Sequence, residues 1–252
     1  MGMQAREGLC PPELSPREIS ELNVEFEMKS ASEIIQWAVD MFLPHLCLTT
    51  SMADAVLVDL AVNVAPSIEV VFIDTGYHFP ETLQTLEFAR RRYALNLRVM
   101  RVPPQPIELW KVDPEQCCSV AKVTELERAL LEKRAWLSGL RRSDGPARTS
   151  TPIIGYGHGR IKINPLATWS DSDVTAYITA HNVPVNPLQA QGFLSIGCMP
   201  CTQPVARGGD ARSGRWVGSD KTECGMHDMG VGAPPGPSAC RSRALAESSC
   251  AP

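Results

Sequence analysis

The sequence predicts an α/β fold in which helices flank a parallel, twisted sheet. Short apolar segments alternate with amphipathic ones over the first hundred residues, 44% of the residues are hydrophobic, and 252 residues suffice for a large buried core. Strands that alternate with helices form parallel sheets with both faces covered, and such sheets bind ligands beyond the carboxyl ends of their strands. We therefore expect a ligand site at that edge.

The predicted elements follow one another along the chain. Apolar residues share one face of a helix at 30–42, before a β-α-β-α-β series with strands at 46–50, 68–73 and 97–102 and helices at 53–64 and 80–93. The second half predicts a helix at 115–132, a strand at 135–140 and a strand pair within 153–163. A capping box of Ser170 and Asp173 then starts another helix. The Pro/Gly/Ser/Ala-rich stretch at 230–252 predicts disorder.

Charge and composition exclude several classes of protein. The 24 Lys and Arg residues against 28 Asp and Glu residues give a formal charge of −4, so no global positive field would hold nucleic acid or an anionic membrane. The N-terminus has no apolar signal segment, and no apolar stretch is long enough to span a bilayer. We expect a cytoplasmic protein without nucleic-acid or membrane partners.

Four of the nine cysteines form two close pairs, an adjacent pair at Cys117 and Cys118 and a C-x-x-C at Cys198 and Cys201. Four thiolates are enough for a tetrahedral zinc ion or a [4Fe–4S] cluster. Zinc favours cysteines separated by two to four residues, whereas a cluster takes thiolates at separate corners. The adjacent pair therefore favours the cluster, and zinc or buried core cysteines are the alternatives.

Two cationic strips stand out in this acidic chain. The second contains Arg212 and Arg215, with Lys221 nearby. The first, at 141–162, has one acid, Asp144, against five cations: Arg141, Arg142, Arg148, Arg160 and Lys162. Guanidinium groups bind phosphate and sulfate oxygens through charge-assisted hydrogen bonds, so these loops suit a doubly anionic ligand. A solvated surface is the alternative interpretation.

Two turns at predicted strand ends offer polar groups to a phosphate. Ser51 lies between the first strand and its helix, and Asp74, Thr75 and Gly76 follow the second strand. Ordinary helix capping would explain either turn equally well.

Cys224 has the neighbourhood of a nucleophile. Lys221 precedes it by three residues and His227 follows it by three, and cations favour the reactive thiolate. Glu223 acts in the opposite direction, so an incidental surface cysteine is the alternative.

Together these motifs resemble the assimilatory sulfonucleotide reductases, specifically the adenylyl-sulfate (APS) reductase branch that carries an iron–sulfur cluster. The resemblance spans about residues 30–228, with GMH after the nucleophile where the family usually has GLH. Its motifs are the two cysteine pairs, IDTGYHFPET at 73–82, SGLRR at 138–142, PLATW at 165–169, RSGRW at 212–216 and KTECGMH at 221–227.

The resemblance implies a fold like that of the adenine nucleotide alpha hydrolases, with a flexible C-terminal segment. It divides the chain into an N-terminal extension at 1–28, a nucleotide- and cluster-binding domain at 29–205 and a catalytic segment at 206–229. The tail at 230–252, predicted to be disordered from its composition, has no counterpart in the family.

The resemblance also implies a reaction. Cys224 would attack the sulfur of APS, release AMP and retain an S-sulfocysteine, which thioredoxin would cleave to sulfite. Lys122 and His227 would assist at the catalytic centre. One [4Fe–4S] cluster would be held by Cys117, Cys118, Cys198 and Cys201, and APS would be bound by Ser51, Asp74, Thr75, Gly76, Arg141, Arg142, Arg212 and Arg215.

Two other functions compete with this one. The 3′-phosphorylated nucleotide PAPS is a related substrate, but that branch generally lacks the four cysteines. A nucleotide-binding or tRNA-modifying protein with structural zinc would use the same fold, and the absence of a Ser-Gly-Gly-x-Asp-Ser loop argues against its ATP chemistry.

Overall fold

A computed structural model of the protein describes residues 13–106, 108–206, 208–219 and 221–227. The predicted tail at 230–252 lies outside these residues. The strands are β1 Leu46–Thr50, β2 Glu69–Asp74, β3 Asn96–Arg101, β4 Ala135–Leu137, β5 Ile154–Gly157 and β6 Arg160–Ile163.

These strands form one sheet in the order β3-β2-β1-β4-β6-β5. All neighbouring strands are parallel except β5, which forms an antiparallel hairpin with β6. The predicted α/β class with a mainly parallel sheet is therefore confirmed.

The helices of the described ranges cover both faces of the sheet. They are α1 Pro16–Phe26, α2 Ala31–Phe42, α3 Val56–Val64, α4 Pro80–Arg92, α5 Leu109–Val112, α6 Lys122–Leu130 and α7 Asp171–His181. The capping box predicted for α7 is present, because Ser170 accepts from the Asp173 amide and Asp173 accepts from the Ser170 amide. No helix among the described residues is both long and apolar enough to span a membrane.

Three elements differ from the sequence-based expectation. Helix α1 lies within the predicted N-terminal extension, begins with a capping box of Ser15 and Glu18, and buries Ile19 and Phe26 in the main core. The strand predicted at 135–140 ends at Leu137. The helix predicted at 115–132 begins as a π-helical turn over Gln116–Ala121 before it becomes α6.

Side chains alternate between two hydrophobic clusters on opposite faces of the sheet. On β2, Val70 and Phe72 face one cluster while Val71 and Ile73 face the other. The second cluster also contains Leu126 of α6, together with Cys118, Cys201, Trp216, Cys224 and Met226. Residues from distant parts of the chain therefore pack on the α6 face, where they position the candidate site.

Candidate active site

A cavity of about 480 Å³ lies where the strand order reverses, beside β1 and β4. The chain runs from β1 outward to β2 and β3, and then returns to β4 on the other side of β1, so the loops after β1 and β4 diverge. Ser51 follows β1 and Ser138 follows β4, and both line the cavity. It occupies the edge of the sheet at which the alternating pattern predicts a ligand.

The turn between β1 and α3 places polar groups at this cavity. Thr50 Oγ1 accepts from the Met52 amide at 3.2 Å, and Asp54 Oδ1 accepts from the Val56 amide at 3.0 Å. Burial raises the pKa of the Asp54 carboxyl. Ser51 lines the cavity in the turn that leads to α3, and Val56, the first residue of α3, lines the same cavity; a helix N-terminus favours an anionic group.

The first three residues of the turn after β2 lie close to Cys198 and outside the cavity wall. Asp74 Oδ1 accepts from the Gly76 amide at 2.9 Å, and Gly76 adopts a φ of 74°, which favours glycine. Thr75 Oγ1 lies 3.2 Å from the sulfur of Cys198. None of these three predicted substrate residues lines the cavity, although His78 does so four residues after Asp74.

The adjacent cysteines lie in the π-helical turn that precedes α6. Cys118 is buried and Cys117 is half-buried. In an α-helix, neighbouring side chains diverge around the axis, and a π-helical turn changes their separation at the cost of a local irregularity. The adjacent cysteines therefore lie in an irregular helical turn.

The C-x-x-C pair lies in a 3₁₀ turn at Met199–Cys201. The Met199 amide donates to the Tyr77 carbonyl at 2.7 Å, and Cys198 forms an antiparallel bridge with His78. These contacts attach the pair to the loop after β2. Cys201 is buried in the same hydrophobic cluster as Cys118, so the fold brings both predicted cysteine pairs to one face of the sheet.

All six cysteines of the described residues are free thiols. The neighbouring Cys201 thiol lowers the pKa of Cys118, with Lys122 contributing in the same direction, whereas burial raises the pKa of Cys117 to about 11. In the part of the chain described here, no three His, Cys, Asp or Glu side chains are arranged around a single metal ion.

The two adjacent arginines of the first cationic strip, Arg141 and Arg142, lie in different places. Arg141 lines the cavity and pairs with Asp144 and Asp171, each at 2.8 Å. Arg142 instead pairs with Glu27 at 2.6 Å and donates to the Thr151 carbonyl at 2.9 Å. Arg142 is not among the cavity residues, so the two adjacent arginines have different environments.

The second strip lines the cavity together with Lys122. Arg212 is largely buried, which lowers its pKa to about 10, and it pairs with Glu223 at 2.9 Å. The guanidinium of Arg215 lies 4.4 Å from the centroid of the Trp216 ring, a cation–π contact. A Cβ at position 197 would overlap this guanidinium, so Gly197 is needed for the close approach.

Arg148 also lines the cavity, and sequence reasoning did not assign it to the site. Its side chain is 11% exposed and pairs with both Asp144 and Glu223. Burial alone would lower the pKa of Arg148, but these carboxylates raise it above the ordinary value. Its membership of the first strip was the available sequence signal, although the strip does not distinguish Arg148 from Arg142.

Cys224 is buried and lines the cavity near the cationic side chains. The His158 imidazole Nε2 lies 3.1 Å from the carbonyl oxygen of Gly225, the residue after Cys224. His227 ends the short turn Gly225–His227, and its side chain lies outside the described part of the structure. A buried thiol and several cations therefore line one cavity, with Cys198 as the one other thiol in its wall, and this arrangement suits attack on an anionic, electrophilic ligand.

Residues 45–204 match the family described as the phosphoadenosine phosphosulfate reductase domain. A protein named adenosine 5′-phosphosulfate reductase from Streptomyces coelicolor is 44% identical over 214 residues, covering 81% of this chain and 90% of its own. One of the same name from Mycobacterium tuberculosis is 45% identical over 190 residues, which cover 71% and 74% of the two chains.

Solved structures agree with this assignment. The crystal structure of a phosphoadenylyl-sulfate (PAPS) reductase from Candida auris, in a phosphate complex, has a TM-score of 0.67 and 30% identity and covers 78% of this chain and all of that one. An FMN adenylyltransferase from Candida glabrata shares the fold alone, with a TM-score of 0.54, 15% identity and coverage of 93% and 85%. The chain belongs to the phosphoadenosine phosphosulfate reductase domain family, which confirms the resemblance seen in its motifs.

Proposed function

We propose that this protein reduces adenosine 5′-phosphosulfate (APS) to sulfite and AMP in sulfate assimilation, with Cys224 as the nucleophile. One observation carries the assignment: Cys224 borders the same cavity as Lys122, Arg212 and Arg215. Relatives of 40–45% identity that bear the name adenosine 5′-phosphosulfate reductase support it.

The reaction has two displacements at sulfur. In the first, the Cys224 thiolate attacks the sulfur of APS, an S–S bond forms, and the bond from sulfur to the bridging oxygen breaks. AMP leaves with that electron pair, and Cys224 carries a sulfonate. In the second, a thiolate of a dithiol protein attacks the Cys224 sulfur and expels sulfite, and the second thiol then closes a disulfide and frees Cys224.

The cavity cations make the first displacement feasible. The nucleophile and the sulfate group are both anionic, so their approach requires positive charge at the sulfate and phosphate oxygens. Among the described residues, Lys122 and Arg215 have no carboxylate within ion-pairing distance, whereas Arg141 and Arg212 are paired. Lys122 and Arg215 therefore carry the charge that is most available to a substrate.

The four thiols fit one [4Fe–4S] cluster held by Cys117, Cys118, Cys198 and Cys201. All four are free, they come from two neighbouring turns on one face of the sheet, and the adjacent pair lies in an irregular helical turn. When bound, the cluster would supply charge and organisation beside the substrate rather than electrons. Lys122 follows Cys118 by four residues and lines the cavity, which suits a link between the cysteines and APS.

Thioredoxin is the dithiol protein that we propose as the reductant, and the cytoplasm is the proposed compartment. A reducing compartment keeps a thioredoxin dithiol available and is consistent with the free cysteines of the described residues. Because Cys224 is only 9% exposed, the segment that carries it must open before a protein thiol can reach the sulfonate.

PAPS is the second candidate substrate, because the Candida auris structure at 30% identity is a PAPS reductase. A comparison of kcat/KM for APS and PAPS decides between them. We expect a clear preference for APS, and a preference for PAPS would overturn the substrate assignment.

The decisive experiment mixes the protein with APS in the absence of thioredoxin. We expect one equivalent of AMP and a mass gain of one SO3 group on Cys224, removed as sulfite by added thiol. Cys224→Ser should bind APS and form no adduct, because a hydroxyl is far less nucleophilic toward sulfur than a thiolate. An adduct on another cysteine, or sulfite production by Cys224→Ser at the ordinary rate, would contradict the mechanism.

A further inference from the structure

A carboxylate pairs with two of the arginines that line the cavity. Glu223 Oε1 accepts from Arg148 Nε at 2.7 Å, and its Oε2 accepts from Arg148 Nη2 at 3.0 Å and from Arg212 Nη2 at 2.9 Å. Paired, charge-assisted hydrogen bonds of this kind are among the strongest in proteins and impose a defined geometry. Glu223 is the residue directly before Cys224. The bonds of its carboxylate therefore also restrict the backbone position of the proposed nucleophile.

Arg148, which pairs with Glu223, is also held by contacts that do not involve Glu223. Arg148 ends a 3₁₀ turn, Pro146–Arg148, in the loop after β4, and its Nη1 donates to Asp144 at 3.0 Å. Asp144 is held in turn by Arg141, whose Nε donates to it at 2.9 Å. Arg148 is therefore a buried cavity residue whose guanidinium is already oriented by Asp144.

The backbone around Cys224 is held on both sides. Arg212 Nη2 donates to the Thr222 carbonyl at 2.9 Å, and the Gly225 carbonyl lies 3.1 Å from His158 Nε2. Glu223 is the one charged residue of the segment 222–225, and its ion pairs join this segment to Arg148 and Arg212. Glu223 is thus the residue through which ion pairs hold this segment, while Lys221, which precedes the segment, pairs with Glu115.

For substrate binding alone, this arrangement is unfavourable. A carboxylate at Arg148 and Arg212 cancels positive charge that an anionic substrate would otherwise use. Its presence is explained if its function is to position the neighbouring thiol rather than to bind the nucleotide.

We propose that Glu223 is a positioning residue that docks the segment 222–225 over the cavity through Arg148 and Arg212, and that Arg148 acts on the reaction through Glu223. The part that concerns sulfur transfer rests on the proposed function. The docking itself does not depend on it, and the two are tested separately.

Docking is measured by the alkylation of Cys224 with iodoacetamide in the absence of APS, followed by peptide mass spectrometry. When the thiol reacts only after local opening, its rate follows the population of the open state. We expect Glu223→Gln and Glu223→Ala to react at least about tenfold faster than the wild type, as loss of a charge-assisted bond implies. Glu27→Gln is the matched control, because Glu27 pairs with Arg142 away from the cavity. In this variant the alkylation rate of Cys224 should stay within about twofold of the wild-type rate.

A double-mutant cycle tests whether Arg148 acts through Glu223. Arg148→Met alone should accelerate alkylation, and adding it to Glu223→Gln should accelerate alkylation little further, because the shared interaction is already lost. Independent, multiplicative effects of the two substitutions would overturn the role assigned to Arg148. Alkylation of Glu223→Gln and Glu223→Ala at the wild-type rate would overturn docking by Glu223.

The catalytic consequence is measured with APS under single-turnover conditions. For Glu223→Gln we expect an APS dissociation constant within about threefold of the wild type or tighter, and adduct formation at saturating APS at least about tenfold slower. Weaker binding with an unchanged adduct rate would make Glu223 a substrate contact and overturn the proposal. If the wild type itself forms no adduct, the proposed function fails while the alkylation comparison still decides the docking.

Discussion

The hydroxyl oxygen of Thr75 lies 3.2 Å from the sulfur of Cys198, although 123 residues separate them in the chain. Thr75 belongs to the turn after β2, and Cys198 begins the C-x-x-C turn. The Met199 amide, which donates to the Tyr77 carbonyl at 2.7 Å, holds the same two loops together. The cysteine pair is therefore attached to the carboxyl end of the sheet, beside the cavity.

Replacement of Cys118 or Cys201 by serine should remove bound iron and sulfide and abolish turnover together, because a cluster corner without its thiolate is labile. The same result is expected for Cys117 and Cys198. Cys47→Ala is the control, since Cys47 is buried at the start of β1 and does not line the cavity, and it should retain its iron. Full iron content with normal turnover in Cys118→Ser would refute the ligand assignment.

Lys122→Ala should keep the iron and lose turnover by about 10²–10³-fold, the usual cost of removing a charge that stabilises a transition state. Lys122→Arg should restore part of the rate. Lys133→Ala is a matched control because Lys133 pairs with Glu69 at 3.0 Å and lies away from the cavity residues. Loss of iron in Lys122→Ala would show that its role is structural.

Arg215→Ala should weaken APS binding by about 1.5–3 kcal/mol, because Arg215 lines the cavity without a carboxylate partner in the described structure. Arg142→Ala should leave APS affinity nearly unchanged and lower the free energy of unfolding instead, because Arg142 pairs with Glu27. Isothermal titration and denaturant unfolding of both variants measure these effects. Equal losses of APS affinity would contradict the separation of the two arginines.

Tyr177→Phe should lower the free energy of unfolding by about 1.5–3 kcal/mol, as expected for a hydrogen bond to a charged group. Asp59 is 5% exposed and accepts from Tyr177 at 2.7 Å and from Tyr93 at 2.8 Å. Tyr156→Phe is the comparison, because its hydroxyl donates to the neutral Leu14 carbonyl and should contribute less. Denaturant titration at neutral pH measures the free energy of unfolding of both variants.

The same cluster predicts a pH dependence. Burial, followed by the Asp59 contact, raises the pKa of both Tyr93 and Tyr177 above their ordinary value. Their contribution to stability is therefore complete below the unfolded pKa of about 10 and is lost as the pH rises beyond it. The free energy of unfolding should fall less between pH 9 and pH 11 for Tyr177→Phe than for the wild type. An equal fall in the two proteins would contradict the linkage.

Periodicity predicted most of the fold because it depends on neighbours along the chain. The β1-α3-β2-α4-β3 series and the β5–β6 hairpin follow the predicted order. Helix α1 was missed because its surroundings are polar, although Ser15, Pro16 and Glu18 carry the signal of a capped helix start. The π-helical turn was not predicted because the periodicity of this segment does not distinguish it from an α-helix.

The sequence by itself determined the class of fold and the spacing of the cysteine pairs, and it predicted Cys224 as the nucleophile, since each depends on local spacing and residue type. Only the tertiary structure decided which cationic side chains line the cavity. Arg142 and Arg148 belong to one strip, yet one pairs with Glu27, 115 residues away, and the other with Glu223, 75 residues away. The direction of a loop side chain depends on partners brought near by folding, and no local pattern encodes those partners.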